Sequence, residues 1–185
     1  GLYLADEEGN EVLLPNRYVS LADRIGDTKE VFVYHDTENR LTATTERPYA
    51  AAGETAFLEV VDKNLHGAFL AWGITAKDLF VPNSNQSFRM EPGKRYVVFV
   101  YRDNLSGRVV ATTKLNGFIS NESVSVRPRQ RVDILVARRI PVGYRVVVEN
   151  RHWGVLYDNQ LFRPIHIGDR LEGYVNRITE EGRID

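Results

Sequence analysis

The sequence contains no cysteine. Disulfides, thiolate nucleophiles and cysteine-ligated zinc are excluded together. No stretch approaches the roughly 18 unbroken apolar residues of a membrane helix, and 26% of the residues are charged, so no membrane partner is expected. Gly1 to Asp6 shows neither the basic region nor the apolar core of a secretory leader. A cytoplasmic location fits and is the expectation. Catalytic signatures are also missing. His35, His66, His152 and His166 lie in separate segments, with no i, i+4 pair and no acid at ligand spacing. No Gly-x-Ser-x-Gly elbow, Walker loop or dinucleotide fingerprint occurs. The sequence is therefore read as a non-enzyme with no metal and no cofactor.

What is present is a chain of 185 residues, 43% hydrophobic, longer than one five-stranded barrel needs. Two or three small units are the natural partition. The net charge of −1 hides an uneven distribution. Gly1 to Pro48 carries 5 Lys/Arg and 10 Asp/Glu, net −5; Tyr49 to Phe118 and Ile119 to Asp185 are each net +2. All 11 basic residues of the last segment are arginine. Guanidinium planes stack on bases and their forks match phosphate, so this bias points to nucleic acid; the base composition of the gene would produce it equally well.

An internal repeat organises the chain. Gly26 to Asp36 aligns without gaps on Gly93 to Asp103, and Arg40-Leu41-Thr42-Ala43-Thr44-Thr45 recurs as Arg108-Val109-Val110-Ala111-Thr112-Thr113. Upstream, Gly1-Leu2-Tyr3-Leu4 recurs as Gly67-Ala68-Phe69-Leu70, and Leu13-Leu14-Pro15 as Phe80-Val81-Pro82, a period of 66 to 68 residues. A more diverged third copy runs through Gly143-Tyr144-Arg145-Val146, Gly154-Val155-Leu156-Tyr157 and Gly182-Arg183-Ile184-Asp185. Short runs rich in Val, Phe, Tyr and Thr, punctuated by Gly, Pro, Asn and Asp, mark every copy as β structure. The middle copy predicts strands near Thr55 to Asp62, Ala68 to Trp72, Asp78 to Val81, Arg95 to Tyr101 and Val109 to Thr113, with a turn or short helix at Ser84 to Met90. Five strands is the count of an OB barrel. The fold class expected is all-β: tandem five-stranded OB-type units at 1–48 (first strand missing), 49–118 and 119–185, with connectors at Pro48 to Gly53 and Ile119 to Arg131.

These residues carry a resemblance. Gly67-Ala68-Phe69-Leu70, Phe80-Val81-Pro82-Asn83-Ser84, Gly93 before a Val/Phe/Tyr strand and Gly107-Arg108-Val109 resemble the S1 RNA-binding domain. The tandem Val-Phe-Val-Tyr, Ala-Thr-Thr, Gly-Ala-Phe-Leu-Ala-Trp-Gly and Lys-Asp-Leu-Phe-Val-Pro motifs are similar to the bacterial conserved virulence factor B family. That resemblance implies S1-like units followed by a winged-helix domain, in an RNA-binding regulator of gene expression.

The resemblance and the strand alternation together nominate site residues. With Ala68 and Leu70 facing the core, Phe69 faces outward, either as a base platform or as a contact to a neighbouring unit. Tyr3 takes its place in the first unit. The third has Arg145 there, with Tyr144 beside it, and a one-residue slip would exchange their faces. The S1 pattern places a histidine platform at the end of the third strand; Pro15 and Pro82 stand there in two units and Tyr157 in the third, preceded by Trp153. For Trp153, as for Trp72, a large core or inter-unit side chain is the competing reading. The cations are Arg40, Arg108 and Arg183 after the last turn of each unit, joined by Arg102 and Arg177, with Asp36 and Asp103 as neighbouring acids. A turn salt bridge explains them as well as RNA does. The function expected is binding of single-stranded RNA through units two and three, the alternative being a protein-interaction or spacer role, which the −5 of unit one favours there.

Overall fold

The computed structural model describes residues 1–185, in β-strands, turns and four single-turn 3-10 segments with no α-helix. No helix is long and apolar enough to cross a membrane. The first sheet holds β1 (Leu2–Ala5), β2 (Glu11–Leu14), β3 (Phe32–His35) and β4 (Leu41–Thr44) in the order β1-β2-β4-β3. Next, β5 (Thr55–Lys63), β6 (Gly67–Leu70), β7 (Leu79–Pro82), β8 (Arg95–Arg102) and β9 (Val109–Thr112) close a barrel in the order β5-β6-β7-β9-β8. The third sheet, β12-β11-β10-β13, is built from β10 (Arg131–Ile140), β11 (Gly143–Val148), β12 (His152–Tyr157) and β13 (Arg170–Tyr174). All five strands read from the middle repeat lie within two residues of their observed ends.

Closure depends on one long strand reaching two partners. β5 pairs with β6 through one stretch and with β8 through another, and its register shifts between Val60 and Asp62. Such a bulge adds local twist and bends a strand round a barrel. β10 repeats the device, pairing with β11 and β13 and shifting between Val136 and Arg138. The outer units close less completely than the middle one. The first sheet has no counterpart of β5, so Leu2, Leu4 and Leu14 line an open cavity of about 230 Å³. In the third unit the last strand is reduced to single bridges, Gly154 with Ile184 in parallel and Ile178 with Ile184, where the middle unit has β7 parallel to β9.

The glycine opening the second strand of the middle and third repeats, and its counterpart Gly1, has a steric cause. A Cβ would come 2.6 Å from the Leu14 carbonyl oxygen at Gly1, 2.1 Å from that of Val81 at Gly67 and 2.0 Å from that of Leu156 at Gly143. Each position lies against a facing strand too close for any side chain.

The units are packed together. The largest apolar cluster centres on Val60, Ala68, Leu70, Val81, Met90, Val98 and Val100 of the barrel, and it takes in Tyr34 from unit one. Trp72 belongs to it, meets Phe32 of unit one edge-on at 5.6 Å and donates from Nε1 to the Lys77 carbonyl. It is therefore an inter-unit core side chain. Between units two and three a second seam joins Phe99, Ile119, Leu135 and Val147, flanked by Val97, Tyr101, Ala137 and Trp153. Asn150 Oδ1 accepts from both the backbone N–H and the hydroxyl of Thr55, and Arg170 donates to the Thr55 carbonyl.

Residues 119–131, read as a connector, run along the third unit. Asn121 donates to the carbonyls of Trp153 and Gly182 and accepts from the Trp153 N–H. Buried His152 sits between the Ser120 carbonyl, 2.8 Å from Nδ1, and Ser125, whose N–H donates to Nε2. That arrangement puts the ring proton on Nδ1 and makes this histidine a structural clip. Because Leu135 is buried in the seam, Leu135→Ala should cost about 2–5 kcal/mol of stability, read as a lower midpoint in urea denaturation; an unchanged midpoint would show that the seam does not hold units two and three together.

Candidate nucleic-acid interface

Residues paired across strands project to the same side of a sheet. In the middle barrel Phe69 pairs with Phe80, Phe80 with Val110, and Val110 with Tyr101. Ala68 and Leu70 are fully buried in the core, so the Phe69 row is the outer face. Phe69 is only half-buried, with its ring 5.1 Å from that of Phe80. At the other end Phe118, 41% exposed, stacks on Phe99 at 4.5 Å and on Tyr101 at 4.6 Å. Asn85 donates to the Tyr101 hydroxyl and holds that ring in place. The outer face thus carries an aromatic row, Phe69, Phe80, Tyr101 and Phe118. Phe80, Tyr101 and Phe118 were not singled out from the sequence; alternation within β7 and β8 indicates outward positions, but only the register shows that they share one row.

The cations divide sharply. Arg40 pairs with Asp36 and Glu38 at 3.0 and 2.9 Å. Arg183 grips Asp185 through Nε and Nη2 at 2.8 and 3.1 Å, and Arg177 adds 2.8 Å to the same carboxylate. Tyr157 donates its hydroxyl to Asp185 as well. Three candidate contacts of unit three, Tyr157, Arg177 and Arg183, therefore converge on one acid, whose side chain is nearly out of solvent. Arg177 also lies beyond the end of β13 rather than on it.

Arg102 and Arg108 behave differently: neither forms an ion pair with a carboxylate. The turn of unit two spends its acid internally, Ser106 donating to Asp103, while Arg102 Nε donates to the Gly107 carbonyl at 2.9 Å. Lys77, absent from the sequence-based set, joins them at the junction with unit one and donates to the His35 carbonyl at 2.6 Å. Burial, followed by the charges of Lys77, Arg108 and Arg102, holds the His35 imidazole below its usual pKa. Burial, then Arg108, lowers Lys77. In both, neighbouring cations add to the larger effect of burial, and Asp36 opposes them.

In the third unit the register is Tyr144 with Leu156 and Arg145 with Val155. Tyr144 packs on the interior cluster, and its hydroxyl points to the Ile165 carbonyl. Arg145 is on the outer face, its guanidinium 4.2 Å above the Trp153 ring. Tyr157 faces Gly143 as Pro82 faces Gly67, the place the repeat assigns to it. Tyr3, in the row of unit one, is 73% exposed. His66 is exposed.

A model of the S1 domain matches residues 1–46 and 52–114, more than half of the chain. The chain belongs to the S1 domain family. Its third unit lies outside the matched residues, and its four strands follow the order of β7-β6-β5-β8 in the barrel before it. An uncharacterised Bacillus subtilis (strain 168) protein, YitL, is 26% identical over 194 residues. That match takes in all of this chain and 64% of the relative, so the chain spans less than two thirds of YitL. A solved multidomain protein with nucleic-acid-binding domains from Streptococcus pneumoniae superposes with a TM-score of 0.51 over 98% of this chain and 67% of that one. At 17% identity the likeness is one of fold.

The Asp185 network makes a pH prediction for this S1 array. The paired arginines, Arg183 foremost, bring Asp185 from 3.8 to about 2. A carboxyl whose folded pKa is depressed stabilises the fold above its unfolded pKa, and that contribution disappears as pH falls through the folded value. Between about pH 4 and pH 2 the melting temperature should therefore fall more steeply for the wild-type chain than for Asp185→Asn, measured by circular dichroism; parallel curves would remove Asp185 as the anchor.

Proposed function

We propose that this S1 array is a non-catalytic module that binds single-stranded RNA through units two and three, in a cytoplasmic bacterial regulator of gene expression. The aromatic row of the middle barrel supports this reading. Phe69, Phe80, Tyr101 and Phe118 line the outer sheet of an OB-type barrel, the face on which such barrels present oligonucleotides. Base stacking on aromatic rings contributes about 1–3 kcal/mol per base and tolerates any sequence. Arg102, Arg108 and Lys77, all without carboxylate partners, supply positive charge at one end of the same barrel. A winged-helix domain beyond the S1 units belongs to the same reading.

Unit one supports a different role. It is net −5, and its turn arginine is already held by two acids, so phosphate is repelled there. We assign it a spacer or protein-interaction role.

Phe69→Ala should weaken binding of a fluorescein-labelled single-stranded RNA by about 1–3 kcal/mol. Because Phe69 is half-buried, it should lower stability by less than the roughly 3–5 kcal/mol of a core Phe truncation. Arg108→Gln should weaken all sequences together and flatten the log–log salt slope by about 0.7. No measurable affinity for any RNA at low salt would overturn the RNA reading and leave the interaction role.

A further inference from the structure

Beside the seam of units two and three, their outer faces diverge and open a cleft of about 570 Å³. Both units line it. Unit two contributes Phe57, Phe88, Tyr96, Arg95 and Lys114, and unit three Arg138, Arg145 and Trp153, over a floor that includes Val97 and Ala137. No aspartate or glutamate is among the lining residues.

The charge is not an accident of surface composition. None of the four cations forms an ion pair, whereas the cationic neighbours of two of them do: Lys94 with Glu91, beside Arg95, and Arg139 with Asp158, beside Arg138. In each doublet one cation is neutralised away from the cleft and the other faces it unpaired. Arg138 and Arg145 are moreover direct cross-strand partners. Like charges directly opposite each other destabilise a sheet; neither arginine has a carboxylate partner, and only the Trp153 ring beneath Arg145 offsets the repulsion. Burial, then Arg138, lowers the proton affinity of Arg145. An anion between the two guanidiniums turns that repulsion into attraction.

The aromatic groups are held in position before any ligand arrives. Trp153 Nε1 donates to Asn116 Oδ1 at 3.0 Å, and Arg145 lies over one face of the indole. Phe88, 51% exposed, leans on Tyr96 at 5.4 Å. Rings alternating with unpaired cations in an open channel are what a single strand requires, with bases on the rings and phosphates on the cations. A rigid floor comes from the seam beneath, where Phe99, Ile119, Leu135 and Val147 are buried.

We propose that this cleft is a composite single-strand site, made only when units two and three are docked, and that it carries the strand from one S1 unit to the next. The proposal rests on the single-strand-binding reading above and adds a second surface to it. Arg145 and Trp153 act in it together with Arg95, Lys114, Arg138, Phe88 and Tyr96.

The test uses the full chain, a labelled single-stranded RNA of about 16 nucleotides, the upper site size of one OB unit, and the double variant Lys114→Gln/Arg138→Gln. Both side chains are exposed, so the variant should fold. Relief of the Arg138–Arg145 repulsion should leave its melting temperature unchanged or higher. Affinity should fall roughly tenfold, with the log–log salt slope flattened by about 1.4 for two lost phosphate contacts. Saturating RNA should also quench the emission of Trp153, since Trp72 is buried. If RNA binds the wild-type chain, Phe69→Ala weakens it and the double variant does not, the cleft is refuted and the RNA reading survives. A wild-type chain that binds no RNA overturns both. Competition by a mononucleotide as strong as that by the oligonucleotide would refute strand tracking in favour of a small-ligand pocket.

Discussion

The docking of units two and three depends on the apolar seam formed by Phe99, Ile119, Leu135 and Val147. An OB-type sheet has an inner face that fills the barrel and an outer face free to bind. Here part of the outer face of β8 is pressed against the outer face of β10 and β11, flanked by Val97, Tyr101, Ala137 and Trp153. Burying these side chains removes apolar area that each sheet alone would leave in water. The Thr55–Asn150 and Thr55–Arg170 hydrogen bonds fix the rotation about the contact. Two small barrels thereby present one continuous surface. The aromatic row ending at Phe118 and the cation-lined cleft around Trp153 both adjoin the seam.

Electrostatics separates the arginines into two populations that composition alone treats as one. Arg40, Arg177 and Arg183 lie against acids and close turns or tie down a chain segment. Arg95, Arg102, Arg108, Arg138 and Arg145 have no such partner. An unpaired cation on a solvated surface costs little, but two facing each other across strands repel, and local conflicts of this kind concentrate at functional sites. The same contrast separates unit one, acidic and with its turn arginine held by acids, from the two units that follow.

The architecture was legible because it is written in local chemistry. Each repeat opens its second strand with a glycine against a facing carbonyl, and the alternation of Ala68, Phe69 and Leu70, taken with the S1 resemblance, assigns inner and outer faces. Period-2 patterning acts within one strand, so the strands of the middle barrel could be placed to within two residues. The face of Tyr144 was not decidable that way: its repeat is diverged, and one residue of slip exchanges it with Arg145. Only the pairing of Arg145 with Val155 put the arginine outside and the tyrosine against the core.

The sequence by itself determined an all-β chain of repeated units and the charge contrast between the first unit and the rest, which follow from spacing and composition, while the S1 type of the units and the outward position of Phe69 came from the resemblance of their motifs. Tertiary structure decided which candidates are free to bind. Asp185 gathers Arg177, Arg183 and Tyr157, while Asp103 leaves Arg102 and Arg108 unclaimed. It also brought Lys114, Arg138 and Trp153 into one cleft with Phe88 and Tyr96. The reason is physical. Inter-unit packing joins residues tens of positions apart, and whether an arginine meets an acid even a few positions away depends on a few ångströms that no local pattern encodes.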